Sequence, residues 1–400
     1  MAKTEPLTIP IAKLQIGQTV KLPLSWKNHP FLRNRIKIDQ EEQIELIKSL
    51  NVPFVILLEG DYVADDESDQ DDSHESHKAV PKPDLVMAAR QSLRKSLRYS
   101  QKRFNDSVEQ NRTIFSKIAS DPSGAYREGS SLTEALLEHL YEETQPHFAL
   151  VSAGRAEQNE IQHGITVAVI ALSLAKALDL SKVAMRDIAL GCLFHDIGKL
   201  KVPESIKRKK LPLTTSETNF LKMHPNFGHE MLAKTELYSP EVLDIVLHHH
   251  EFVDGSGYPH GLTEAALSLN TQLVSLANDY MDLISVGEGR SPQIALGYLF
   301  KNHRQKHAES LIAALVKALG IYPPGTIVKL SDGSIAKVMR TTSSAKRPNV
   351  WACDVDGAEP SLRVLENESV EVVESVKLDE LDESVSRILK VQEGICFYFC

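Results

Sequence analysis

The 400-residue sequence predicts a mainly α-helical protein with a small mixed domain at its N-terminus and a small β module at its C-terminus. Three observations carry this. From about 130 to 320, apolar residues recur at three- and four-residue steps, the period of a helix face. Residues 7–59 alternate short strand-like runs with one amphipathic stretch. Beyond Pro323-Pro324, strand-like runs flank Ser331-Asp332-Gly333, a hairpin signal.

Hydrophobic residues make up 42% and charged residues 25%, the balance of a globular chain with a sizeable core. The length predicts two or three domains. A formal net charge of -9 argues against a DNA or RNA polymer as partner, since phosphates would be repelled. It does not exclude a small nucleotide held through a metal. No run of eighteen apolar residues occurs, so no membrane partner is expected. The start, MAKTEPLTIPIAKL, lacks the apolar core of a signal peptide. Cys192, Cys353, Cys396 and Cys400 form no CxxC and read as packing thiols of a reducing compartment. The expected location is the cytoplasm.

In chain order, residues 1–60 form the predicted N-terminal domain, with strand-like runs at Leu7–Leu14, Thr19–Leu24 and Pro53–Leu58 and a helix over Glu41–Leu50. Residues 61–75 carry eight acids and cannot bury enough apolar surface to order themselves, so 61–82 is expected to be a flexible linker. A helical connector is expected over 83–144. In it Arg90, Arg94, Arg98 and Lys102 line one face, either as a solvated stripe or as a dock for an acidic partner. Within 145–322, two apolar seams run through Ile161–Ala175, which marks a buried helix. Ser181 and Ser239 are predicted N-caps, and Thr214–Glu217 matches a capping box. Residues 323–400 are expected to be β-rich, ending on the apolar ICFYFC, by default a terminal strand.

The chemistry sits on His163, His195-Asp196, His224 and His249-His250. Each histidine falls at or near the end of a predicted helix of one bundle. Imidazoles facing a bundle core are costly to bury unless something satisfies them, and a metal centre does so. Imidazoles and carboxylates without cysteine suit iron, manganese or zinc. Asp196 could bridge two ions, the arrangement that holds both oxygens of a phosphoryl displacement. Lys199, one turn after His195, could set a positive charge against a phosphate; the alternative is a solvated lysine after a helix end. The loop Asp254-Gly255-Ser256-Gly257-Tyr258-Pro259-His260-Gly261 packs three glycines and a proline into eight residues. It reads either as a plain turn or as a backbone path that approaches a ligand closely.

HDIGK (His195–Lys199), MHP around His224 and HHExxDGSGYPxGL (His249–Leu262) resemble the HD-GYP phosphodiesterases, a branch of the HD superfamily. The resemblance covers about 145–320. It implies an HD-type helical bundle that hydrolyses cyclic di-GMP, through pGpG to GMP, at a centre of two or three iron or manganese ions. Carried over residue by residue, it implies metal ligation by His163, His195, Asp196, His224, His249, His250 and either Asn278 or Asp279. Asp196 and Lys199 take the catalytic roles. Lys199, Asp254, Gly257, Tyr258 and Pro259 are the expected substrate contacts. The partners expected are a cyclic dinucleotide and, as a second class, a protein at the Gly257-Tyr258-Pro259 loop. Residues 7–59 are similar to a module often fused to these enzymes, in LQIG (Leu14–Gly17) and SWxxHPFLRN (Ser25–Asn34). The segment Leu319–Gly333 is similar to the joint at which that family's core passes into a β extension.

The sequence also departs from the family pattern. Asn159 stands where some members carry a glutamate for a third metal, which favours two ions. Thr166 replaces an arginine. In TQLVSLANDYMDLIS (Thr271–Ser285), Asn278 takes the place of the expected metal aspartate and Met281 that of a second aspartate. Asp279 and Asp282 each come one residue late, about 100° round a helix. Two readings follow: an active phosphodiesterase with two divalent ions, or a partly degenerate domain that senses a cyclic dinucleotide or binds a protein with weak or no turnover.

Overall fold

The structure, a computed structural model, describes residues 8–22, 35–49, 54–59, 83–142, 147–152, 160–207, 209, 212–285 and 291–400. The acidic linker 61–82, the Ser25–Asn34 string and Asn159 lie outside the described residues. Contacts divide the chain into two compact units: Met1–Arg94 with Gly320–Leu389, and Lys95–Leu319 with Lys390–Cys400.

In the first unit, β1 (Thr8–Pro10), β2 (Thr19–Lys21), β3 (Arg35–Lys37) and β4 (Phe54–Glu59) form an antiparallel sheet in the order β1-β4-β2-β3. Helix α1 (Glu41–Ser49) falls between β3 and β4 in sequence. The alternation of these short strands puts Ile9, Val20, Ile36 and Val55 on the buried side. Helix α2 (Pro83–Lys117) follows. The basic stripe on it is a solvated face at Arg94, Arg98 and Lys102, while Arg90 pairs with Glu368 at 3.1 Å.

The second unit holds α3 (Pro122–Tyr141), β5 (Phe148–Ser152), α4 (Glu160–Ala177), α5 (Lys182–Phe194), a 3-10 turn over Ile197–Lys201, α6 (Glu204–Lys207), α7 (Thr215–Leu221), α8 (His224–Ala233), α9 (Pro240–His248), α10 (Leu269–Ser285), α11 (Pro292–Asn302) and α12 (Glu309–Leu319). Helix α4 is the hub. No charge interrupts it between Glu160 and Lys176, and every residue from His163 to Ala175 is buried. Burial of each Ile, Leu or Val there stabilises by roughly 1.5–3 kcal/mol. It packs on α5, α10 and α12.

The predicted caps form. Ser181 Oγ accepts the Ala184 N–H at 3.2 Å, and Ser239 Oγ accepts that of Val242 at 3.2 Å. Thr214 and Glu217 exchange both bonds of a capping box. Ser239 Oγ also donates to Asp187 Oδ1 at 2.8 Å, which ties the start of α9 to α5. No helix among the described residues is long and apolar enough to cross a membrane.

After α12 the chain returns to the first unit. There β6 (Ile327–Leu330), β7 (Ile335–Arg340), β8 (Asn349–Cys353), β9 (Ser361–Val364) and β10 (Val372–Ser375) pair antiparallel as β10-β6-β7-β8-β9, with α13 (Glu383–Ile388) following. Gly333 turns the β6–β7 hairpin at φ +92°, a conformation that disfavours any residue with a Cβ. The expected β-rich 323–400 forms these strands and one more. Its last strand, β11 (Ile395–Phe399), pairs with β5 in the helical unit, Cys396 opposite Val151 and Phe397 opposite Leu150. Phe397 and Tyr398 of this strand are fully buried.

Candidate metal centre

Four helices of the second unit deliver imidazoles to one place. His163 lies in the first turn of α4, His195 caps the C-terminus of α5, His224 opens α8 and His249 caps the C-terminus of α9. Their ring contacts form a chain: His163–His195 at 5.3 Å between centroids, His195–His249 at 4.8 Å, His249–His250 at 4.3 Å and His224–His250 at 5.1 Å.

Three of these rings are fixed by the same device. Nδ1 of His195, His224 and His249 faces the carbonyl three residues back, of Cys192, Leu221 and Val246, at 2.7, 2.8 and 2.9 Å. A carbonyl only accepts, so Nδ1–H donates and each Nε2 is left facing inward. The Nε2 atoms of His224 and His249 face each other at 3.1 Å. Two lone pairs so placed repel unless a cation or proton lies between them. The approach of the helices depends on Gly198: a Cβ there would lie 1.9 Å from the His224 carbonyl oxygen and 2.5 Å from the Gly228 nitrogen.

Asp196 stands between two triads of donors, His163-His195-Asp196 and His224-His249-His250. Its Oδ2 lies 3.4 Å from His195 Nε2 and accepts from Lys199 Nζ at 2.7 Å. Its Oδ1 lies 3.3 Å from His224 Nε2 and 3.9 Å from His249 Nε2. Both His195 Nε2 and Asp196 Oδ1 are buried without a hydrogen bond. Such orphans are expensive and call for a partner.

The spacing suits a metal ion as that partner. Two donors on one ion at about 2.1 Å, at angles of about 80–180°, stand about 2.7–4.2 Å apart. The Asp196–His195, Asp196–His224, Asp196–His249 and His224–His249 separations all fall in that range. The residues present fit divalent metal.

The electrostatics agree. Burial alone would raise the Asp196 carboxyl, but the charges of Lys199 and His195 outweigh it and hold the group well below the usual carboxylate value. Burial would lower Lys199, and Asp196 and Asp282 raise it instead. Burial, reinforced by neighbouring imidazoles, pushes His249 and His250 well below the ordinary histidine value. His163 is also lowered by burial. These rings stay neutral, the form that ligates.

The GYP loop closes over this cluster. Tyr258 stacks on His250 at 4.6 Å between centroids and 20° between planes, and its N–H donates to the His250 carbonyl at 3.1 Å. Gly257 is required, because a Cβ there would lie 2.4 Å from Glu251 Cα. Glu251, 1% exposed, anchors the far end: its carboxylate accepts the backbone N–H groups of His260, Gly261 and Leu262 at 2.5, 3.0 and 3.0 Å. Lys222 Nζ lies 5.1 Å from the centre of the Tyr258 ring.

Most of the expected residues therefore meet, with two exceptions. Of the alternatives Asn278 and Asp279, Asn278 is the one that lies beside the cluster, its Oδ1 2.8 Å from His163 Nε2. Asp279 points away and accepts from His303 Nδ1 at 2.6 Å and His307 Nε2 at 2.8 Å; those two imidazoles fix the helix rotation. Asp254 is not brought to the histidines either. It is exposed, and its Oδ1 accepts from the Ser256 N–H and hydroxyl at 2.9 and 2.6 Å, a turn stabilised by its own side chain. Sequence reasoning gave no role to Glu251 and noted Asp282 only as an acid one residue late. A buried acid beside two histidines and an acid four residues after Asn278 were the available signals. Lys222 carried no signal.

Comparison with known proteins agrees with this geometry. Residues 133–310 match the HD domain family, and residues 7–128 match a family described as a domain of unknown function (DUF3391). The cyclic di-GMP phosphodiesterase PA4108 of Pseudomonas aeruginosa is 26% identical over 83% of this chain and 81% of its own length. The cyclic di-GMP phosphodiesterase response regulator RpfG of Xanthomonas campestris is 33% identical over 36% of this chain and 39% of its own. The 3'3'-cGAMP-specific phosphodiesterase 1 of Vibrio cholerae is 36% identical over 32% of this chain and 29% of its own. The chain thus spans most of the first relative and well under half of the other two. The HD match over residues 133–310 encloses every histidine of the cluster and the GYP string folded onto it, so this part of the chain is similar to the HD domain family.

Proposed function

We propose that this chain is a phosphodiesterase that hydrolyses cyclic di-GMP, through pGpG to GMP, with two divalent ions, iron or manganese, held between His163, His195, Asp196, His224, His249, His250 and Asn278. The observation that carries the reading is Asp196, one oxygen turned to each triad, with an orphaned Oδ1. The relatives named as cyclic di-GMP phosphodiesterases support the substrate class.

Bound ions supply Lewis acidity to the phosphoryl oxygens and acidify a water. The chain's own residues do the rest. Asp196 stays ionised and fixes the separation of the two donor groups. Lys199, charged and 27% exposed, offsets charge on a phosphate oxygen. Tyr258 presents a flat ring beside the cluster, with Lys222 adding a positive charge at its face. Glu251 holds the loop that carries Tyr258.

A second reading, a partly degenerate domain that binds a cyclic dinucleotide, or a protein at the Gly257-Tyr258-Pro259 loop, with weak turnover, is favoured by one observation: Asn278 is neutral where the family resemblance implies a carboxylate. Turnover separates the two. Anaerobically prepared protein supplied with Mn(II) or Fe(II) is expected to convert cyclic di-GMP to GMP, and 3'3'-cGAMP more slowly. Asp196→Asn is expected to lose at least about 100-fold in turnover, beyond the usual effect of losing a supporting partner of a ligand. Wild-type protein that binds the dinucleotide without cleaving it would select the second reading.

A further inference from the structure

Helix α10 presents one carboxylate to the cluster, and it is not at the position that family resemblance singles out. Met281 is fully buried in the core. Asp279 is held by His303 and His307. Asp282, four residues after Asn278, shares the Asn278 face, because residues at i and i+4 stack on one side of a helix. Its Oδ2 accepts from Asn278 Nδ2 at 3.2 Å, and its Oδ1 lies 3.9 Å from His163 Nε2.

The first contact settles how the amide sits. A carboxylate only accepts, so Nδ2 faces Asp282 and Oδ1 faces His163. The second leaves Asp282 Oδ1 in line with two other donors. Asn278 Oδ1, His163 Nε2 and Asp282 Oδ1 are separated by 2.8 Å and 3.9 Å along this series, both within the about 2.7–4.2 Å span of donors on one ion. The side chain is 45% exposed, so an entering ion can reach it.

We propose that Asp282 is the carboxylate ligand that restores the charge lost at Asn278, so that His163, Asn278 and Asp282 together hold the ion on the α4 side of the centre. The inference rests on the metal-centre reading above. A neutral amide cannot offset the charge of a divalent ion; a carboxylate one turn on can, at the same helix face. Asp282 thereby serves twice, aiming the Asn278 oxygen and donating its own. The residue pair replaces one aspartate by an amide and an acid four residues apart.

Mn(II) titration of the full-length metal-free chain, followed by the electron paramagnetic resonance of free Mn(II), tests this without reference to turnover. Wild-type protein is expected to show two sites. Asp282→Asn should weaken one of them by about tenfold or more, the size of effect seen even when only a partner that orients a ligand is lost. The double variant Asn278→Asp with Asp282→Asn should recover it, which distinguishes a lost ligand from a damaged fold. Wild-type binding with Asp282→Asn unchanged in both sites would overturn the role of Asp282 and leave the metal centre standing. Wild-type protein that binds no Mn(II) would remove the metal centre, and this inference with it.

Discussion

At the scale of single residues, the centre gathers imidazoles around one ionised acid, and protons compete with metal for it. Unfolded histidines titrate near 6.5, whereas burial lowers His163, His249 and His250 in the fold. Below about 6.5 the unfolded chain therefore binds more protons than the folded one, and stability falls as pH falls. His195 runs the other way: Asp196 overcomes its burial and raises it, so it favours the fold until pH climbs through its raised value. Three lowered groups oppose one raised group. The thermal midpoint of chelator-treated protein is thus expected to drop steadily between pH 7 and 5, and a midpoint that holds or rises would mean the rings are charged in the fold. The histidines and Asp196 were legible from their types and helix-end positions. Gly198 stood in HDIGK without an evident task, because its need for a bare Cα arises from an α8 backbone that no local pattern reveals. The choice between Asn278 and Asp279 was equally hidden, since it depends on His303 and His307, which belong to a different stretch of the sequence.

At the scale of elements, the caps and buried faces were readable because they are local. Ser181, Thr214 and Ser239 act within three residues, and α4 announces its burial by carrying no charge between Glu160 and Lys176. The GYP loop was readable as unusual but not as either turn or ligand site. What decides is Glu251, a buried acid that gathers three backbone N–H groups from nine to eleven residues ahead. Hydrogen bonds to a charged acceptor contribute about 1.5–3 kcal/mol each, and about 1.4 kcal/mol is a factor of ten in local opening. Glu251→Gln keeps the shape but removes the charge and an acceptor oxygen. Amide exchange at His260, Gly261 and Leu262 is therefore expected to quicken by about tenfold or more, while exchange in α4 stays put. Unaltered exchange in the loop would show that Glu251 does not anchor it.

At the scale of the molecule, strand propensity at ICFYFC was plain, yet its partner β5 was not, because pairing across most of the chain leaves no trace in either segment alone. The helical unit also carries a cost: a cluster of imidazoles and an acid at its core, with His195 Nε2 and Asp196 Oδ1 unpartnered. Metal bound only by the folded chain offsets that cost by mass action, about 2.7 kcal/mol at a hundred times Kd and about 4.1 kcal/mol at a thousand times. For a unit of roughly 150–250 residues, each kcal/mol moves the midpoint by about 2–4 °C. Removing metal with a chelator is accordingly expected to lower the helix-detected midpoint by about 5–15 °C, and adding back Mn(II) should restore it. Asp196→Asn, which would remove the carboxylate proposed to serve both ions, should melt at nearly the same temperature with and without chelator. A wild-type midpoint indifferent to chelation would mean that the buried cluster is satisfied by something other than metal.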